Sequence, residues 1–224
     1  MTDGRVLVIA AHPDDELLGC GATVASHVRR GDTVTSVIAC EGEFLPYGPG
    51  GVGQDAHTRH AARGLGVTDV RCLRFPDQRL DTVTLTEVIG HLVRVVDEVR
   101  PHVVYGQFGG DVNRDPQMLF QALLVATRPT ATSIRCVYPF DTASSTEWAY
   151  PRSFVPDTCR RRGDWGPKLR AMACHGSELA PYPHPRSLEA LELRARAWGA
   201  QVCMRAAEVF MTVRRVCRGD DDGR

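Results

Sequence analysis

The chain has no excess charge of either sign: across its 224 residues, Lys plus Arg and Asp plus Glu both number 27. That balance gives no global field to draw it to nucleic acid or to an anionic membrane. No apolar run reaches the roughly 18 residues of a membrane-spanning helix, and the opening MTDGRVLVIAAHPDD is too short in its apolar part, and wrongly terminated, for a secretory leader. A cytoplasmic location is the resulting expectation. The cysteines, at 20, 40, 72, 136, 159, 174, 203 and 217, form no CxxC pair. Scattered through apolar segments, they read mostly as small buried hydrophobes rather than as a disulfide framework or a cysteine metal cluster. The Gly-rich stretch LPYGPGGVGQ lacks the order of a phosphate loop, and the chain has no nucleophile elbow and no aromatic platform for nucleic acid.

What the sequence does contain is an α/β alternation. VLVIAA (6–11) is a short apolar run of the kind buried on both faces of a parallel sheet, ELLGCGATVASHVRR (16–30) reads as a helix, and TVTSVIAC (33–40) as the next strand. The pattern continues through a Gly/Pro-rich loop over 41–54, the helix DAHTRHAARGLGV, the strand VRCLRF, and an amphipathic helix over 84–99 closed by Pro101. HVVYGQF, PQMLFQALLVAT and SIRCVYPF supply a strand, a helix and a fifth strand. Beyond Asp141, WGPKLRAMACHGSEL and the long SLEALELRARAWGAQVCMRAAEVFMTVRRV read as helices, the second curved or broken at Gly199. One domain over 1–218 with a frayed tail over 219–224 is the expected organisation.

The chemistry concentrates after the first strand. In AAHPDDE, His12, Asp14, Asp15 and Glu16 stand at a strand's carboxyl end, where open parallel sheets bind ligands. Imidazole and carboxylate suit a borderline metal, and a second adjacent carboxylate can take a proton from bound water. The competing reading is structural: acidic residues at a strand-to-helix junction cap the helix and complement its dipole.

AHPDDELLGCGATVA closely resembles the opening motif of the PIG-L/LmbE-like deacetylases, and the similarity continues in family order. It runs through LGV (65–67), FPDQRLD (75–81), PHVVY (101–105), SSTEW (144–148), KLRAM with SEL (168–179), YPHPRSLEAL (182–191) and AWGAQVCMRAAEVF, the counterpart of the family's final helix. The resemblance implies a single-domain, Rossmann-like LmbE fold with a mostly parallel sheet, a divalent metal, usually zinc, and removal of an N-acyl group from an amino-sugar-containing small metabolite. It also implies His12 and Asp15 as metal ligands and Asp14 as general base. The family's third ligand is a histidine closing a DxNxDH segment; here the segment is DVNRDP, and Pro116 stands in that place.

Proline cannot ligate, so three outcomes stay open. Asp111, Asn113 or Asp115, or His57 or His184 from another loop, completes the metal site. Alternatively, the acidic cluster works as a metal-independent small-molecule enzyme. Or the chain binds a sugar or metabolite without turnover. His184 is the candidate to protonate the leaving amine, and Arg186, Asp77, Asn113, Glu147 and Trp148 are candidate substrate contacts, joined by His57. The glycines of LPYGPGGVGQ would let it act as a lid carrying Tyr47. No nucleic-acid or membrane partner is expected, and homo-oligomerisation stays open.

Overall fold

In the computed structural model, which describes residues 4–41, 51–130, 133–161 and 165–217, every residue of β1 (Arg5–Ala10) after Arg5 is buried. β1 alternates between two cores. Val6 and Val8 pack with α1 (Asp15–Arg29), α2 (Gly51–Gly64), α5 (Gly166–Ala173) and α6 (Leu188–Gln201) through Leu17, Val24, Ala61, Met172 and Leu191. Leu7 and Ile9 pack with α3 (Leu85–Val99) and α4 (Arg114–Ala126) through Val88, Leu92, Val96, Leu119 and Leu123. Helices thus cover both faces of the sheet, which is why its strands read as continuous apolar runs.

The sheet has six strands in the order β3 (Asp69–Phe75), β2 (Thr33–Cys40), β1, β4 (Val103–Gln107), β5 (Cys136–Phe140) and β8 (Arg214–Arg215). All pairings are parallel except β5 with β8. The chain winds outward from β1 to β3, then returns through α3 to lay β4 on the other side of β1. The order reverses between β1 and β4, the switch point where the carboxyl ends of parallel strands open a crevice.

Local signals set most boundaries. Thr84 caps α3 by accepting the Glu87 N–H, and Arg100 ends that helix in the left-handed region at φ 48° before Pro101. Gly19 lets α1 approach β5, since a Cβ there would lie 2.0 Å from the Phe140 ring. Lys168, the chain's only lysine, is buried: Nζ donates to Glu208 (2.8 Å) and to the Leu18 carbonyl (2.7 Å). The Glu208 carboxylate also accepts from the Ala22 and Thr23 N–H groups at 3.0 and 2.6 Å, tying α1, α5 and the C-terminal region together.

Three expectations are corrected. The long C-terminal helix stops at Gln201; Ala207–Phe210 is instead β7, paired antiparallel with β6 (Thr158–Arg161). The chain after α6 folds back onto Gly199 so tightly that a Cβ there would sit 2.6 Å from the Met204 carbonyl oxygen, and the pairing of β7 with Glu208 buried outweighs the helical pattern of the segment. The helix expected over 165–179 ends at Ala173 and gives way to a 3-10 turn at Gly176–Glu178. The loop expected through Gln54 becomes helical at Gly51. Tyr47 and most of the lid, and the proposed tail at 219–224, lie outside the described residues. Among the described residues no helix is long and apolar enough to cross a membrane.

His175, just beyond α5, is 1% exposed and its Nε2 has no partner. Burial, with the charges of His57 and Arg186, pushes it down to about 4. The unfolded chain takes up this proton near pH 6.5, so the neutral ring contributes full stability above that value and loses it as pH falls from about 6.5 towards 4. Urea denaturation across that window is predicted to show His175→Gln losing less stability on acidification than the parent, by up to roughly 3 kcal/mol; parallel pH dependences would contradict the assignment.

Candidate active site

The β1–β4 crevice holds a cavity of about 350 Å³, enough for a monosaccharide-sized ligand, lined by His12, Asp14, Asp15, Asp77, Gln78, Asn113, Pro116, Glu178 and Arg186 among others. Its floor is set by β1 ending at Ala10 and turning into α1. Asp14 occupies that turn at φ 96°, ψ −24°, a left-handed conformation costly for a non-glycine residue. Its side chain makes no capping bond. It points instead at Arg186, whose Nη1 donates to Asp14 Oδ2 at 3.0 Å, so the capping explanation of this acid does not hold.

Asp15 secures the same turn: its Oδ2 accepts the His12 N–H at 2.9 Å and lies 3.2 Å from His12 Nδ1. The other ring nitrogen, Nε2, is 3.0 Å from Asp115 Oδ2 and 3.1 Å from Asp77 Oδ1. Burial alone would lower His12, but hydrogen bonds to Asp115 and Asp15, with the Asp77 carboxylate beside them, outweigh it and hold the ring well above its ordinary value. Asp15, despite its burial, is held below the usual carboxylate range by His12 and by the charge of Arg186. Asp14 goes the other way: burial pushes it well up, Arg186 pulls it back, and the neighbouring Asp15, Glu178 and Glu16 add to the rise. Adjacent carboxylates with opposed shifts are the arrangement in which one acts as a base and the other stays an anion.

The remaining candidates divide. Asn113 caps α4, accepting the Asp115 N–H at 2.9 Å, and its side chain donates to Gln78 at 3.0 Å. Asp115 is fully buried beneath His12 and accepts the Leu80 N–H at 3.0 Å. Asp111 is buried behind the cavity wall, bonded by the hydroxyls of Ser145 and Thr146 and by the Asn113 N–H. His184 is exposed, its Nδ1 accepts the Arg186 N–H at 3.1 Å, and it does not line the cavity. His57, Glu147 and Trp148 are exposed and also stand off the wall. Glu147 holds the Ser144 and Ser145 N–H groups. Gln78, Gln107, Ser145 and Glu178 line the cavity without having been singled out. Gln107 had a usable signal, being a polar residue at the end of a strand otherwise apolar enough to be buried; it accepts the Ala11 N–H at 2.6 Å and donates to Thr142.

Whether this wall fits the implied cation is a question of donors. The 3.2 Å between His12 Nδ1 and Asp15 Oδ2 matches two ligand atoms on one ion with bonds of about 2.0–2.1 Å. A catalytic site needs a third protein ligand. Pro116 lines the cavity and has no donor, and the Arg186 guanidinium stands 3.8 Å from Asp15 Oδ1, where its charge repels a second cation. On the opposite edge of the ring, His12, Cys40 and Asp115 place ligand atoms within 4.8 Å of one another, a group able to coordinate a divalent metal. Cys40 and Asp115 do not line the cavity, so an ion there would have no open position for substrate. Among the described residues, the three-ligand catalytic set does not fit.

A model of the PIG-L family, GlcNAc-PI de-N-acetylase, matches residues 7–127. A 1D-myo-inositol 2-acetamido-2-deoxy-alpha-D-glucopyranoside deacetylase of Streptomyces avermitilis is 36% identical over 214 residues, covering 80% of this chain and 70% of that protein. The conserved protein TT1542 of Thermus thermophilus superposes with a TM-score of 0.77 at 23% identity, covering 98% of each chain. GalB, the 4-carboxy-2-hydroxymuconate hydratase of Pseudomonas putida, superposes with a TM-score of 0.75 at 20% identity, covering 96% of this chain and 99% of that one.

Asp115 joins His12, the Leu80 turn and the α4 cap in one buried network. Asp115→Ala removes the buried acceptor beneath the half-buried His12 ring and is predicted to cost roughly 2–4 kcal/mol in urea denaturation; a loss below about 1 kcal/mol would show that His12 finds its compensation elsewhere.

Proposed function

The chain belongs to the PIG-L, GlcNAc-PI de-N-acetylase, family, and from that membership we propose that it is an N-deacetylase or related amidase acting on an amino-sugar-containing small metabolite. The observation that carries the reading is Asp14: a buried carboxylate with a raised affinity for protons, held in a strained turn and aimed into a cavity of about 350 Å³. A carboxylate so placed takes a proton from a water molecule attacking an acyl carbonyl, and returns it to the departing nitrogen. Asp15, kept anionic, holds the His12 turn beneath it. Asp77, Gln78, Asn113 and Glu178 line the cavity as polar contacts for a hydroxyl-rich substrate, and Arg186 lies directly against Asp14.

A divalent metal, where one binds, would supply Lewis-acid polarisation of the carbonyl. The residues of this cavity do not complete the ligand set for it, and no step here depends on it. A second reading, a metal-independent enzyme adding or removing water on another small metabolite, draws on the four-group cluster of His12 with Asp15, Asp77 and Asp115.

The reading is tested by following release of primary amine from a panel of N-acetylglucosamine glycosides. Asp14→Asn is the informative variant, because asparagine tolerates the left-handed backbone that Asp14 adopts. The parent is expected to release amine, and the variant to lose at least about 100-fold in kcat with KM nearly unchanged. Full activity in Asp14→Asn would remove the residue from the chemistry, and amine release from no member of the panel would contradict the substrate class.

A further inference from the structure

We propose that Arg186 is the resident cation of this site and takes the charge-stabilising role that the family's third-ligand geometry leaves to a metal. Three observations point there. Pro116 lines the cavity in the segment where the family resemblance implies a third ligand, and it offers no donor atom. The Arg186 guanidinium lies against both carboxylates of the turn, with Nη1 3.0 Å from Asp14 Oδ2 and Nη2 3.8 Å from Asp15 Oδ1. Its orientation is fixed from behind: Nε donates to Ser144 Oγ at 2.8 Å and Nη1 also donates to Glu178 Oε2 at 3.1 Å. The backbone is held as well, by the Arg186 N–H on His184 Nδ1 and by Ser187, which caps α6 through the Ala190 N–H at 3.0 Å.

The count of donors gives the group a function. A guanidinium has five N–H bonds. Nε–H goes to Ser144 and the Nη1 pair to Asp14 and Glu178. Nη2 makes no hydrogen bond among the described residues, and Arg186 lines the cavity. Two N–H bonds of a fixed cation are therefore left for an incoming oxygen, beside the carboxylate that would accept a proton.

The chemical step rests on the hydrolase reading. The substrate's acyl oxygen docks on Nη2. Water oxygen bonds to the acyl carbon as its proton passes to Asp14 and the carbonyl π pair moves to the docked oxygen, whose negative charge the guanidinium balances. Collapse restores the carbonyl and breaks the C–N bond, the Asp14 proton leaves with the nitrogen as free amine, and the carboxylic acid product loses its proton to solvent. Atoms and charge balance with water as the only co-reactant.

The experiment has a binding arm and a kinetic arm. Zinc chloride is titrated calorimetrically into the full chain as the parent, as Cys40→Ser, which removes the thiol of the separate buried cluster, and as Cys40→Ser with Pro116→His and Arg186→Ala. The Cys40→Ser protein is expected to bind no stoichiometric zinc, and the triple variant to gain a site. In the kinetic arm, amine release by the parent should persist in excess EDTA, Arg186→Ala should lose at least about 100-fold in kcat, and added methylguanidinium should restore part of the loss. A purely structural role would give no such rescue. Stoichiometric zinc on Cys40→Ser that is lost with Asp15→Asn, or turnover abolished by EDTA and restored by zinc, would overturn the proposal. If no substrate turns over, the hydrolase reading fails by itself, and the binding arm still decides: a zinc site gained in the triple variant supports the resident cation, and none gained overturns it.

Discussion

Buried carboxylates have to be compensated, and the arrangement at the end of β1 follows from how this chain does it. Asp14 and Asp15 at the start of α1, and Asp115 at the start of α4, are each almost fully buried. Isolated anions there would cost far more than the fold can supply. Two cations meet that requirement from different directions. His12 lies among Asp15, Asp77 and Asp115, and Arg186 reaches back from the start of α6 to Asp14, Asp15 and Glu178. The unequal division matters: Asp15 is paired on both sides and stays ionised, whereas Asp14 retains a raised proton affinity facing the cavity.

The scaffold makes this possible by fixing positions that are distant in sequence. The β1–β4 switch point opens the crevice, α1 and α4 begin on either side of it, and the buried Lys168–Glu208 pair locks the C-terminal third against α1. That third carries the loop from which Arg186 enters. A relation to deacetylases therefore persists in the scaffold and in the acidic turn, while the charge opposite that turn comes from a side chain placed by prolines and a helix cap.

Much of this was legible in the sequence for identifiable reasons. The parallel strands announce themselves as β-branched runs because both faces are covered, and the Thr84 cap and Pro101 bracket α3. His12, Asp14, Asp15, Asp77, Asn113 and Arg186 could be drawn together because all lie at strand or loop ends that a parallel sheet gathers on one side. Local pattern failed where long-range contacts decide. AEVF is helical by periodicity and a strand by its pairing with β6. His184 and Arg186 sit two residues apart in one proline-rich loop, and only the fold determines that the arginine enters the cavity while the histidine remains outside, accepting a backbone N–H. Cys40 looked like one more buried hydrophobe, and its proximity to His12 and Asp115 depends on β1, β2 and α4 converging.

The account stands on a guanidinium, and no metal ion, facing Asp14 and Asp15. The most direct measurement is a crystal structure of the full chain grown with zinc, with anomalous diffraction collected on both sides of the zinc absorption edge. The account predicts Arg186 in place between Asp14 and Glu178 and no anomalous peak on the Nδ1 side of His12. A strong peak bonded to His12 Nδ1 and Asp15, with Arg186 swung out of the cavity, would contradict it.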